Sequence, residues 1–186
     1  MSKDELQNSD RTRKTISVVQ GECRVSDCPE IEMTTLLGSC VATCMCDPVA
    51  GVGGMNHFLL PYARSAAVSS ERYGLHAMEV LINGLLKLGA RKPRLQAKVF
   101  GGAMMGDVAN SIGQQNAAFA LSFLDDEGIP CIANSIGGLM ARRLKYAPTT
   151  GRARQLFVRE FDPGNTQCSH KADVKDDIQF FDGGRR

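Results

Sequence analysis

Thr34-Thr35-Leu36-Leu37-Gly38-Ser39-Cys40, Val41-Ala42-Thr43-Cys44-Met45-Cys46-Asp47-Pro48 and Gly51-Val52-Gly53-Gly54-Met55-Asn56-His57-Phe58-Leu59-Leu60-Pro61 are the segments from which the fold is read. Met33 to Leu37 and Val41 to Cys46 are short β-prone runs, the second closed by the turn pair Asp47-Pro48. Gly51 to Leu60 predicts a further strand, with Met55, His57 and Leu59 on one face and Asn56, Phe58 and Leu60 on the other. Pro61 ends it, because proline cannot continue a central ladder. Cys40 therefore stands where one extended segment gives way to the next, seventeen positions before His57. Two short strands and a turn are enough to bring such a pair together.

Outward from this stretch the pattern alternates. Lys14 to Gln20 reads as a first strand, and Cys23 to Glu32, with Pro29 and several charges, as a loop. Ser69-Ser70-Glu71 offers a cap before Leu75, Met78, Leu81, Ile82, Leu85 and Leu86, which recur at helical intervals until Gly89. Leu95 to Phe100 predicts a buried strand leading to Gly101-Gly102. Gly113 to Glu127 predicts a second helix ended by Gly128, and Ile129 to Ile136 a further strand. Leu139 to Tyr146 and Arg154 to Glu160 flank the turn cluster Pro148-Thr149-Thr150-Gly151, which predicts an antiparallel pair. The order strands, helix, strand, helix, strands argues a single α/β domain, a mixed sheet packed with two main helices. Its expected span is 15–160, between a flexible leader (1–14) and a polar flexible tail (161–186) that holds Phe180-Phe181.

The composition narrows the function. A chain of 186 residues with 43% hydrophobic and 23% charged residues can bury one core of its own. Its formal net charge of +2 comes from 22 basic and 20 acidic residues mixed along the chain, which gives no footprint for nucleic acid or an anionic membrane. The first ten residues are polar and no apolar run approaches a membrane span, so a cytoplasmic address is expected. Seven cysteines form an odd set in such a chain, which predicts reduced thiols rather than a disulfide framework. Without a Cys-x2-Cys pair, the cluster Cys40, Cys44, Cys46 reads as packed strand residues before it reads as a zinc site.

A thiol becomes a useful nucleophile when a neighbour favours its thiolate, and histidine suits that role because it returns the proton to a leaving group. Cys40 and His57 are the candidates. Thr34, six residues before Cys40, carries a hydroxyl able to hold the imidazole, and backbone amides around Gly38, Ser39 and Cys40 are candidates for stabilising an oxyanion. Each residue also has an ordinary reading: a cysteine between β-runs is usually a packed small side chain, a strand histidine usually a satisfied one, and a strand threonine usually a matter of β propensity. His76 and His170 offer less, one on a helix and one in the tail.

The pattern goes further than these generic arguments. Leu37-Gly38-Ser39-Cys40-Val41, Asp47-Pro48 and Gly53-Gly54-Met55-Asn56-His57-Phe58-Leu59-Leu60-Pro61 closely resemble the chemoreceptor glutamine deamidase family, CheD. Arg72-Tyr73-Gly74, Ala77-Met78-Glu79, Leu81-Ile82-Asn83, Ala97 to Ala103 and Gly128-Ile129-Pro130 match in the same order, so the resemblance covers roughly Thr15 to Val158. It implies Cys40 as nucleophile, His57 as catalytic histidine and Thr34 as the threonine completing the triad, with Thr35 as the neighbouring register. It also implies hydrolysis of glutamine side-chain amides on the cytoplasmic helices of methyl-accepting chemotaxis receptors, no cofactor or metal, and an α/β fold related to the cysteine deamidase toxins. Some relatives also bind a phosphatase, CheC. Such a substrate calls for an open groove with Cys40 reachable from solvent. The chain departs from the family pattern at Asn134-Ser135-Ile136-Gly137-Gly138 and Ala141-Arg142. The rival readings are another thiol amide hydrolase, a peptidase or transglutaminase, and a non-catalytic binding module in chemotaxis.

Overall fold

The computed structural model describes residues 13–60, 67–104, 109–158 and 179–181. Among the described residues, ten strands fall into two five-stranded mixed sheets. The first holds β1 (Lys14–Ser17), β3 (Ile31–Leu37), β8 (Ala141–Ala147), β9 (Arg152–Val158) and β10 (Gln179–Phe181), in the order β1-β3-β8-β9-β10. The second holds β2 (Cys23–Ser26), β4 (Val41–Asp47), β5 (Val52–Phe58), β6 (Gln96–Gly101) and β7 (Cys131–Ile136), in the order β2-β5-β4-β6-β7. Only the β1–β3 and β6–β7 pairs are parallel. Two α-helices among the described residues, α1 (Ala67–Lys87) and α2 (Ala109–Asp126), pack on them in the single α/β domain expected from the sequence.

Alternation along the central strands produces the layers. Every residue of β4 and β5 is buried, because both faces of that sheet are covered. Ala42, Cys44, Met55 and Phe100 face the other sheet and meet Met33, Leu37, Leu144, Tyr146 and Ala153. Val41, Met45, Phe58, Ala97 and Val99 face the helices and meet Met78, Leu81, Leu85, Ala117, Ala120 and Leu124. The result is a sheet-on-sheet sandwich with both helices on the outer side of the second sheet. Burial at about 25 cal/mol per Å² of apolar surface makes each of these large side chains worth roughly 1.5–3 kcal/mol.

Three expectations change. Cys23–Ser26, expected as loop, is the edge strand β2, paired antiparallel with β5 from Cys23↔Asn56 to Ser26↔Gly53. Four residues with an arginine and a proline close behind carry too little periodicity to show this; a neighbouring strand supplies the pairing. Within the tail expected to be flexible, Gln179–Phe181 forms β10 on β9. Phe181 packs edge-on to Phe100 at 5.2 Å and its carbonyl accepts a 2.7 Å hydrogen bond from the buried Lys98 Nζ, so one aromatic side chain and one lysine anchor three residues of a polar segment. Helix α1 begins at Ala67, which places Ser69 inside the helix rather than at its cap. Of the leader, Lys14 already belongs to β1, and residues 1–12 lie outside the described residues, as do Cys168 and His170.

The chain crosses from one sheet to the other at Gly38-Ser39-Cys40. That crossing is pressed against the end of β6: a Cβ on Gly101, whose φ is +113°, would stand 2.1 Å from the Cys40 carbonyl oxygen. Only glycine fits there.

Candidate active site

Ala42 pairs directly with His57 across β4 and β5, and Cys40, the residue just before β4, packs with Ala42 against the cluster between the sheets. Cys40 is partly exposed and His57 is 6% exposed, so the sulfur stands at the solvent side of the pair and the ring is walled in by the sandwich.

Two groups meet one nitrogen of the ring. Thr35 Oγ1 lies 2.9 Å from Nδ1 and the Val18 carbonyl oxygen 3.2 Å from the same atom. A carbonyl only accepts, so this bond puts the proton on Nδ1 and leaves the lone pair on Nε2. Nε2 is buried and has no hydrogen-bond partner in the protein. The ring is thus held in the tautomer of a base, with its free nitrogen unoccupied. Burial pulls its pKa below the ordinary histidine value, partly offset by the Val18 carbonyl. The Cys40 thiol is pushed up to about 11 by burial, while its own backbone N–H acts in the opposite sense. Both shifts act against a resting thiolate–imidazolium pair.

The geometry corrects one expectation. Thr34 does not hold His57: its hydroxyl donates to the Leu144 carbonyl at 2.8 Å, and Thr35 is the residue against the ring. The reason is the twofold alternation of β3, which turns Met33, Thr35 and Leu37 towards the other sheet and Glu32, Thr34 and Leu36 away from it. The Thr35–His57 contact therefore links the two sheets.

Gly38, Ser39 and Cys40 are fixed through their carbonyls. Ala103 N donates to Gly38 O and Gly102 N to Cys40 O, both at 2.8 Å, and Asn116 Nδ2 donates to Ser39 O at 3.0 Å. With those oxygens held, the peptide planes that carry the Ser39 and Cys40 N–H groups are set. A thiol, a base and an oriented main-chain donor together suit acyl transfer at an amide.

Asn116 and Gln20 were missed by sequence reasoning. Asn116, fully buried on α2, also accepts from Leu60 N at 2.7 Å, so one carboxamide ties the segment before Cys40 to the segment after His57. An asparagine on the inward stripe of an otherwise apolar helix face was the available signal. Gln20 Oε1 accepts from Cys40 Sγ at 3.3 Å. It stands in a turn, where nothing local marks it. The departing loop at Gly137-Gly138 is held by Arg142, whose guanidinium donates to the Ser135 and Gly137 carbonyls. The loop is joined to the crossing's supports by Met104 N to Gly138 O at 2.7 Å and Gly137 N to Gly101 O at 2.9 Å.

Among the described residues no three His, Cys, Asp or Glu side chains cluster as metal ligands, and no helix is long and apolar enough to cross a membrane.

Comparison with known proteins adds the relatives. The family model described as CheD chemotactic sensory transduction matches residues 59–156. A Cereibacter sphaeroides protein named probable chemoreceptor glutamine deamidase CheD is 53% identical over 167 residues, 89% of this chain and 84% of that one. Proteins of the same name from Rhizobium rhizogenes and Agrobacterium fabrum are 56% and 55% identical, over 77% and 90% of this chain and 80% and 97% of theirs. A solved Neisseria meningitidis structure of family DUF152 superposes at a TM-score of 0.48 with 10% identity, over 78% of this chain and 79% of that one, too loose a likeness to argue from.

Proposed function

The chain belongs to the CheD family, and from that premise we propose that it is a protein-glutamine glutaminase which converts selected glutamines of chemotaxis receptors to glutamates. The observation that carries this reading is the arrangement of His57: Nδ1 occupied, Nε2 unpartnered, and the ring on the strand that pairs with β4, which begins directly after Cys40.

In the proposed mechanism His57 Nε2 takes the Cys40 proton as sulfur attacks the glutamine carboxamide carbon. The carbonyl pair moves onto oxygen, and main-chain donors of the Gly38–Cys40 crossing stabilise it. When the carbonyl re-forms, the amide nitrogen takes the proton from His57 and leaves as ammonia, with a thioester remaining on Cys40. Water, giving a proton to His57, attacks the thioester and releases glutamate; the sulfur recovers that proton. Thr35 and the Val18 carbonyl support the charged imidazole that forms between the two transfers.

The partial exposure of Cys40 suits a side chain presented on a long helix rather than a small molecule drawn into a deep cavity. We place the protein in the cytoplasm, where receptors carry those helices, and on the same family premise a CheC-type phosphatase is a candidate second partner.

The test is a coupled assay of ammonia release from a chemoreceptor cytoplasmic fragment, with hydroxylamine present in a parallel sample to intercept the thioester as a glutamine-derived hydroxamate. The wild type should give both products and Cys40→Ala neither. Fragment cleavage would select the peptidase reading, and crosslinking whose ammonia is not matched by new glutamates the transglutaminase reading; binding without any turnover would select the non-catalytic module.

A further inference from the structure

The turn between β1 and β2 touches both members of the catalytic pair. Its Val18 carbonyl meets His57 Nδ1 at 3.2 Å, and its Gln20 Oε1 accepts the Cys40 thiol at 3.3 Å. The turn is firmly held. Val18 N donates to Thr34 O at 2.8 Å, Gly21 N to His57 O at 2.7 Å and His57 N to Glu22 O at 3.0 Å. Glu22 N donates to Val19 O at 3.0 Å, and Val19 N to the Glu22 carboxylate at 3.2 Å. Gly21, at φ +87°, permits the reversal. Gln20 is thus a solvent-exposed side chain on a fixed backbone, with its polar tip on the nucleophile.

We propose that the Gln20 carboxamide is a catalytic residue, the side-chain donor of the oxyanion site, acting together with the backbone N–H of Cys40. This rests on the deamidase reading above. A carboxamide holds an acceptor and a two-proton donor on one planar group, and half a turn about its terminal bond exchanges them. In the resting enzyme the sulfur carries a proton, so Oε1 is the complementary face. Once that proton has passed to His57 Nε2, the sulfur is an acceptor only; Oε1 then faces negative charge and the –NH₂ face replaces it. As the C–S bond forms, the carbonyl pair of the substrate becomes an oxyanion on the carbon now bonded to sulfur. A donor within hydrogen-bond distance of that sulfur is beside the oxyanion as well. When ammonia departs, carrying the proton from His57, the oxygen pair returns to the carbonyl and the thioester remains.

The test compares wild type, Gln20→Ala and Gln20→Glu in two assays: steady-state ammonia release from a chemoreceptor cytoplasmic fragment, and alkylation of Cys40 by iodoacetamide. Alkylation consumes the thiolate but forms no oxyanion. Gln20→Ala should lower kcat by about a hundredfold, the usual loss for one oxyanion donor, with KM and the alkylation rate each within about threefold of wild type. Gln20→Glu, which keeps an acceptor and adds charge, should lose at least as much turnover and should also alkylate more slowly. Full turnover by Gln20→Ala would overturn the proposal while leaving the deamidase reading intact. So would parallel loss of turnover and alkylation in Gln20→Ala, the mark of a structural role, or conversion of Gln20 to glutamate in wild type but not in Cys40→Ala, the mark of a substrate. A wild type that releases no ammonia from any receptor fragment removes the deamidase reading and this proposal with it.

Discussion

Adjacent threonines on β3 give the cleanest test of how the site is held. Thr35→Val and Thr34→Val each remove one hydroxyl at nearly constant shape and β propensity, so the backbone is undisturbed and only the hydrogen bond changes. Thr35 is 5% exposed and its oxygen stands 2.9 Å from His57 Nδ1, a bond that becomes charge-assisted when the ring is protonated between the two proton transfers. A net hydrogen bond is worth about 0.5–1.5 kcal/mol between neutral groups and about 1.5–3 kcal/mol to a charged one, so the gain on charging is about 1 kcal/mol, and each 1.36 kcal/mol is tenfold in rate. Because the Val18 carbonyl remains on the same nitrogen, orientation is weakened rather than lost. The expected result for Thr35→Val is a fall in kcat of about three- to tenfold with KM unchanged. Thr34→Val breaks only the 2.8 Å bond to the Leu144 carbonyl, on the outer face of its sheet. That variant should keep wild-type kcat and lose about 1 kcal/mol of stability, a fall in Tm of roughly 2–4 °C. Ammonia release and scanning calorimetry on the same preparations decide the matter. If Thr34→Val slowed turnover and Thr35→Val did not, the assignment of inward and outward faces on β3 would be refuted.

Three further outcomes are expected. Asn116→Ala leaves the Ser39 carbonyl and the Leu60 N–H without their partner inside the protein, at about 1–3 kcal/mol each, so calorimetry should find Tm lower by roughly 5–15 °C; an unchanged Tm would contradict the tether. With the Cys40 thiol pushed up to about 11, iodoacetamide alkylation in the absence of substrate should keep accelerating as pH rises from 6 to 10. The lowered pKa of His57 keeps the ring neutral as pH falls through the ordinary histidine range of about 6.5, so ammonia release should persist to below that value before its acid limb begins. An alkylation rate already on a plateau at pH 6 would instead reveal a preformed thiolate–imidazolium pair.

What the sequence made legible follows from where the information is local. The helical stripes Met78–Leu81–Ile82–Leu85 and Ala117–Ala120–Phe123–Leu124, the strands around Cys40 and His57, and the β8–β9 hairpin all repeat at the period of their own element, and the structure contains them. The division of the strands into two sheets is not local. β3 and β4 are consecutive in sequence, yet Gly38–Cys40 carries the chain from one sheet to the other, and only long-range pairing decides that. Strands β2 and β10 are short pieces recruited by exposed edges, β10 with the help of Phe181 against Phe100.

The site divides in the same way. Cys40 and His57 stood out through their spacing and family motif, and the structure puts Cys40 at the start of β4, the strand that pairs with the His57 strand. Thr35 was within reach of the same reasoning, since Met33, Thr35 and Leu37 have the parity of the apolar face while Glu32 and Thr34 have that of the polar one. Gln20 and Asn116 were not: each reaches the site from an element distant in sequence, by a side chain whose local setting, a turn and a helix, gives no hint of its partner. Gly38 and Ser39, expected as amide donors, are tied at their carbonyls to Ala103 and Asn116, contacts that set the peptide planes carrying the Ser39 and Cys40 N–H groups.

The central claim is that Cys40 and His57 hydrolyse glutamine side chains on a chemoreceptor. Intact-mass and peptide mass spectrometry of a receptor cytoplasmic fragment, incubated separately with wild type, Cys40→Ala and His57→Ala, tests it most directly. The account predicts a gain of about one dalton at defined glutamines, chain length unchanged, with wild type alone. The same gain with Cys40→Ala, or no gain with wild type on receptors that contain modifiable glutamines, would contradict it.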